Sequence, residues 1–287
     1  QERKKIMKTW KKIVLGVSLI SLFLGGGLVA WGYSQGGLTD LQNKTISEQD
    51  YVKKEVKDFN KIDIKSSSYN VLIKNGEVDK ATLSYYQKTK NPIDTSVKDG
   101  QLTINDNNSE LDSTSNKHIN FFGLKDLVRL STLNKEVRNK TIVITLPKKQ
   151  TIDFLKVDLA TGNLDLSNST IKQADINLNV GDLTFTKMIV SNLKANLDVG
   201  SVDSDHTLFT NSDLSIAMGD YSGDNLIFNG HNKLDVTSGD IEIVLKDYTL
   251  NVQADSHSGE VDITNNLKIS KDNTLTITSD LGDITVE

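Results

Sequence analysis

Cysteine is absent from the chain, which excludes disulfides, thiolate nucleophiles and a lipid-modified cysteine anchor. Proline occurs only twice in 287 residues and aromatics make up 6 % of the chain. That scarcity suits a fold made of many short hydrogen-bonded strands, where each proline would remove a donor. Arginine stands only at Arg3, Arg129 and Arg138. From Thr151 to Glu287 there are 22 acidic and 8 basic residues, a net charge of −14, which leaves +9 on the remainder of a chain whose total is −5. An acidic second half argues against nucleic-acid binding, which needs a basic surface to meet phosphates. A phosphate-binding loop is missing too.

Glycine, by contrast, is placed with regularity. Gly162, Gly181, Gly200, Gly219, Gly239, Gly259 and Gly282 recur every nineteen or twenty residues, with one longer last step. Most are followed by a small polar or acidic residue: Asn163, Asp182, Ser201, Asp220, Asp240, Glu260 and Asp283. Whole columns repeat with them. Five residues before each glycine stand Val157, Ile176, Ala195, Leu214, Leu234, Ala254 and Ile277; two after it stand Leu164, Leu183, Val202, Tyr221, Ile241, Val261 and Ile284. Intervening positions are mostly Asp, Asn, Ser and Thr, so apolar and polar residues alternate with period two, the pattern of strands with one buried face.

A fixed period of about twenty residues is the signature of a solenoid. Each strand runs to a glycine, which takes a positive φ and turns a corner. A second strand leaves the corner, and the chain returns one rung higher, about 4.8 Å away. We therefore expect an all-β fold, a parallel β-solenoid with rungs of about 19–20 residues, whose apolar columns merge into one core. A further column, Ile171, Val190, Phe209, Phe228 and Tyr248, points to a second or third inward-facing side.

Upstream, residues 1–12 are basic, carrying Arg3, Lys4, Lys5, Lys8, Lys11 and Lys12 against Glu2. Residues 13–33 then run without a single charge, about the length of a membrane-spanning helix. Trp10, Trp31 and Tyr33 bracket this run as interfacial aromatics do. The expectation is one uncleaved transmembrane helix, a cytoplasmic N-terminus, and everything after it outside the cell membrane. A cleaved signal peptide fits less well, because the run is long and Leu28 is a poor match three residues before a cut at Ala30. Residues 34–58 read as a polar linker, with a short helix expected over Ser47–Val56.

Residues 59–287 form the expected extracytoplasmic domain, its early strands being less regular rungs of the same coil. An insert, 105–139, interrupts them. It carries Phe121, Phe122, Gly123, Leu124, Leu127 and Val128, the apolar part of one helix face. The insert is expected to seal the side or end of the solenoid. Phe121, Phe122, Leu124, Leu127 and Val128 are also the candidate element for contact with a partner or the membrane. After it, Thr141–Leu146 alternates strictly and Pro147 closes the strand.

The Thr141-Ile-Val-Ile-Thr-Leu-Pro147 strand, the Phe121-Phe122-Gly123 insert and the repeated Gly-Asp-Leu or Gly-Asp-Ile corners together resemble one known group. It is the putative-adhesin β-strand-repeat family, domain of unknown function 4097, in its membrane-anchored Gram-positive form. That resemblance implies an envelope-facing, non-catalytic β-solenoid linked with membrane-stress signalling, and it brings no set of functional residues.

Parallel β-helices include polysaccharide-cleaving enzymes, which use paired carboxylates or carboxylates with calcium and a basic residue. Here Asp165, Asp203, Glu242 and Asp262 share one position, three after the glycine, expected to point outward; Asp158, Asp235 and Asp255 share another. They recur with the rung period, as surface residues do, and the rungs carry no arginine. His118, His206, His231 and His257 fall at different phases of the repeat, so stacking alone does not bring histidines together. The reading is thus of a non-enzymatic protein with no catalytic residues, no cofactor and no metal site. Its expected partners are the membrane, an envelope protein or glycan, or copies of itself through an open edge at the C-terminal strand; a surface adhesin is the alternative.

Overall fold

Period-two alternation interrupted by a glycine every nineteen or twenty residues produces rungs with three sides. The computed structural model describes residues 49–88, 92–106 and 140–287, all strand, turn or irregular chain. Residues 13–33 and, apart from Asn105 and Asp106, the insert with its contact element lie outside the described residues, among which no helix is long and apolar enough to cross a membrane.

In chain order, β1 (Gln49–Glu55) precedes β2 (Lys61–Ser66), β3 (Asn70–Gly76), β4 (Thr82–Lys88) and the hairpin β5 (Asp94–Lys98) and β6 (Gln101–Asn105). Then come β7 (Thr141–Pro147) and the short β8 (Thr151–Ile152). Three full rungs follow: β9 (Phe154–Leu159), β10 (Leu164–Ser167) and β11 (Thr170–Ile171); β12 (Ala174–Val180), β13 (Leu183–Thr186) and β14 (Ile189–Ser191); β15 (Leu193–Val199), β16 (Val202–Asp205) and β17 (Leu208–Thr210). In the next rung β18 (Asp213–Met218) leads to β19 (Tyr221–Asn229), one long strand that serves both remaining sides. The last three rungs have two strands each: β20 (His231–Ser238) with β21 (Ile241–Leu245), β22 (Asn251–Ser258) with β23 (Val261–Ile263), and β24 (Thr274–Leu281) with β25 (Ile284–Val286).

Successive rungs pair in parallel with their columns in register, save for a shift between β19 and β21 after Gly223: Ile176 lies between Val157 and Ala195, and Leu183 between Leu164 and Val202. The third side stacks Ile152, Ile171, Val190, Phe209 and Phe228, all buried. Phe209 meets Phe185 edge-on at 5.3 Å and stacks on Phe228 at 5.8 Å. No rung could bury these side chains alone, because Ile171, Val190 and Phe209 each lie between two neighbours and Ile152 and Phe228 close the stack. Stacking removes them from water at about 1.5–3 kcal/mol per large apolar side chain.

The rungs do not stack in the order in which the chain makes them. β24 pairs with both β20 and β22, and β25 with both β21 and β23. The C-terminal rung therefore slides beneath its predecessor, and β22–β23 is outermost. The other end mirrors this. β2 lies between β6 and β9, and β3 between β7 and β10, so the first rung is also second from the end. Because β25 is paired on both sides, it is not the open edge expected from the sequence; that edge belongs to β22–β23.

Two further expectations are corrected. Ser47–Val56 forms no helix over its described part: Gln49–Glu55 is a strand, antiparallel to β4, with Tyr51 against Tyr86 at 4.9 Å between ring centres. The residues read as early rungs are only partly so, since β4 and β5 run antiparallel to β7 and β6 and cap that end.

Candidate functional surface

The corners between the strands of a rung are of distinct kinds, and the sequence follows from what each demands. At the first, Gly162, Gly181, Gly200, Gly219, Gly239 and Gly282 have φ between +140° and +149°. A Cβ on Gly200 would come within 1.9 Å of the carbonyl oxygen of Gly181 in the rung below. Only glycine lets rungs approach so closely there. The same contacts confirm the stacking order, for Gly259 lies over Gly282 and Gly282 over Gly239.

The residue after each glycine has a structural duty. Its side-chain oxygen accepts the backbone N–H of the equivalent residue in the next rung. The series runs Asn70, Asn163, Asp182, Ser201, Asp220, Asp240, Asp283, Glu260, with distances of 2.8–3.4 Å. The Gly-Asp signature is thus a seven-step hydrogen-bond ladder that satisfies corner amides.

On the side formed by β9, β12, β15 and their stack-mates, the outward ladder reads Asp158, Asn177, Asn196, Ser215, Asp235, Thr278, Asp255. Asn177 donates to Asp158 at 3.0 Å and Asn196 to Asn177 at 2.9 Å. Thr278 donates to Asp235. On the neighbouring side the order is Asp165, Thr184, Asp203, Ser222, Glu242, Thr285, Asp262. Interleaving of the C-terminal rung therefore places Thr278 between Asp235 and Asp255, and Thr285 between Glu242 and Asp262. In both ladders every pair of carboxylates is parted by a neutral residue, which relieves like-charge repulsion.

Asp165 departs from the outward, solvated position expected of it. Only 3 % of it is exposed, and its Oδ2 has no hydrogen-bond partner. Burial, reinforced by the charge of Asp182, pushes its pKa up to about 7 against a hydrogen bond with Thr184. Leu72, which precedes it on the same face, is buried too.

At the second corner Asn168, Lys187, His206 and Asn225 occupy one column, all with φ of 52–54° or, for His206, 49°. Asp205 and Asp224 stack directly on one another just before it, without a neutral spacer. His206 Nδ1 lies 2.6 Å from Asp205 Oδ1, and Asn225 Nδ2 donates to Asp224 Oδ2 at 2.8 Å. Ligand atoms of Asp205, His206 and Asp224 all fall within 4.8 Å of one another. This grouping escaped a reading that compared histidines only with histidines; the signal was the nineteen-residue step from Asp205 to Asp224. Beside it is a shallow cavity of about 170 Å³, lined among others by Lys187, Met188, Thr207, Leu208 and Lys246.

Finally, the position before the glycine carries three exposed apolar residues, with half-buried Ser238 between the second and third. Val199 is 38 % exposed, Met218 59 % and Leu281 55 %, lying along the corner next to the acidic ladder.

A three-sided, parallel β coil with ladder-bonded glycine corners and antiparallel strands capping its N-terminal end is the architecture these observations define. Residues 59–287 match the family model described as Toastrack DUF4097, and the chain belongs to that family. Among solved structures it is similar to a putative cell adhesion protein from Clostridium sporogenes, at 17 % identity, TM-score 0.37, covering 83 % of this chain and 99 % of that one. A putative adhesin from Bacteroides fragilis shares 14 % identity, TM-score 0.38, with 84 % and 97 % covered. A putative lipid binding protein from Parabacteroides distasonis shares 11 %, TM-score 0.44, with 84 % and 98 % covered. No curated protein matches.

Proposed function

We propose that this is a non-enzymatic cell-envelope protein, held by a single N-terminal membrane span with residues 1–12 in the cytoplasm. Its extracytoplasmic coil binds or senses an envelope component and feeds membrane-stress signalling. The observation that carries the reading is the commitment of the carboxylates. Apart from Asp205 and Asp224, the ladder carboxylates are spaced by neutral residues or bonded to the next rung's amides, and among the described residues the cavity beside His206 is lined by no carboxylate. What the coil offers a partner is a long rigid surface, with the Val199–Met218–Leu281 ridge beside an acidic stripe, suited to a partner with apolar and basic groups. In this reading Phe121, Phe122, Leu124, Leu127 and Val128 add a second contact element.

The test is photo-crosslinking in membranes from residue 218, replaced by a photoreactive amino acid. Capture of a discrete envelope protein or glycan is expected, together with no turnover of wall polysaccharides by the purified chain. Turnover would overturn the non-enzymatic reading.

A second reading, self-association, is favoured by the unpaired outer edge of β22 and by exposed Val261 and Ile269 nearby. Sedimentation showing a monomer at every concentration would remove it.

A further inference from the structure

We propose that Asp205, His206 and Asp224 form a binding site for a late first-row divalent cation, with zinc as the reference ion. One imidazole nitrogen and two carboxylates are the donor set that suits zinc, nickel or cobalt; calcium and magnesium prefer oxygen alone. Geometry makes the three available together. Asp205 and His206 are consecutive, and the left-handed conformation of His206, φ 49°, turns its ring back to within 2.6 Å of Asp205 Oδ1. Asp224 stands one rung above Asp205 in exact register. The hydrogen bond from Asn225 holds one oxygen of Asp224 and so fixes the plane of the carboxylate, as outer partners of metal ligands do.

Charge points the same way. Asp205 and Asp224 stack with no neutral residue between them, as do Asp220, Asp240, Asp283 and Glu260 at the glycine corner, where amides of the next rung bond the carboxylates of Asp220, Asp240 and Asp283. A divalent ion would neutralise Asp205 and Asp224. Donor atoms around zinc lie roughly 3–3.5 Å apart. Asp224 must therefore draw in from within 4.8 Å while His206 Nδ1 and Asp205 Oδ1 part from 2.6 Å and give up the proton they share, small rotations for exposed side chains. The adjoining cavity leaves room for water to complete the coordination shell. Lys187 and Lys246 line that cavity and oppose a cation, so the expected Kd is only on the order of 10 µM.

The experiment uses the untagged full chain in mild detergent, titrated calorimetrically with zinc, calcium or magnesium chloride. One equivalent of zinc should bind, with no heat from calcium or magnesium. His206→Asn keeps the corner, because asparagine already fills this column at positions 168 and 225, yet it should weaken zinc binding at least tenfold. Asp224→Asn should do the same. Asp240→Asn, which alters stacked acids at the other corner, should change nothing. Cobalt(II) added to the unsubstituted chain gives a readout independent of any variant: visible bands of a nitrogen- and oxygen-ligated ion, lost on adding zinc. Absence of zinc heat, zinc binding that survives His206→Asn, or a loss that follows Asp240→Asn would overturn the proposal.

Discussion

The two ends of the coil solve one problem differently. At the N-terminal end β4 and β1 continue one side as antiparallel strands, β5 continues another, and Lys54 on β1 donates to Thr95 on β5 across the gap. Val56, Phe59, Tyr85 and Ile93 are buried there and plug the core. At the C-terminal end no antiparallel strand among the described residues covers β22 and β23. Tyr248, Val252, Ala254, Ile263 and Leu267 are only partly buried. Parallel rungs leave unpaired amides at both ends, and antiparallel strands reverse the direction of growth and blunt one of them. The contrast teaches that one end is finished as a terminus while the other keeps the chemistry of a rung awaiting a neighbour.

The largest effect expected from breaking this arrangement comes from its middle. Gly200→Ala places a Cβ against the Gly181 carbonyl with rungs fixed above and below, and should cost more than about 4 kcal/mol, or prevent folding. Gly259→Ala meets the Gly282 carbonyl at a similar distance, but its rung is free to shift outward, so about 1–2 kcal/mol is expected. Chemical denaturation compares the two; equal losses would mean that the outermost rung is as tightly held as the interior.

Next in size is the interleaved rung. Ile277→Ala, in β24, should cost about 4 kcal/mol, because its side chain is fully buried between two rungs. Val261→Ala, on the outermost rung and 41 % exposed, should stay within about 0.5 kcal/mol. A reversed ranking would contradict the swapped order.

Asp165 sharpens the comparison from the N-terminal side. Its folded pKa of about 7 lies above the ordinary value of 3.8, so its contribution to stability is fully present below pH 3.8 and is lost as pH rises to about 7. Asp165→Asn should therefore raise stability at pH 8 by about 2–4 kcal/mol and flatten the melting temperature between pH 5 and 8. Smallest is Thr278→Asp, which puts three carboxylates in a row and should cost about 1 kcal/mol at low salt, less at high salt.

Much of the coil was legible because glycine has no substitute at its first corner, so its spacing recorded the rung length directly. The third side was visible only as the column from Ile171 to Tyr248, of which the residues up to Phe228 lie in paired strands, since strands of two or three residues carry little pattern. The swapped order was hidden because Gly239, Gly259 and Gly282 carry the same motif, and only the ladder neutrals Thr278 and Thr285 mark the true neighbours. β1 was misread because Lys53, Lys54 and Glu55 are polar and helix-compatible, while pairing with β4 decides their conformation. Asp165 was placed outside because its rung phase is outward; phase says nothing about what lies over a face. Of the cation cluster, the register of Asp205 and Asp224 was readable, but the turn that aims His206 at them was not.

The interleaved rungs also dictate when the protein can be finished during synthesis. β22–β23 leaves the ribosome before β24–β25, yet it must be seated on top of it. Residues 251–263 therefore stay without their final partner until the chain's last strand exists, and β2–β3 likewise gains its outer neighbour only after β7 is made. Growth of this coil cannot run from one terminus to the other like a zip.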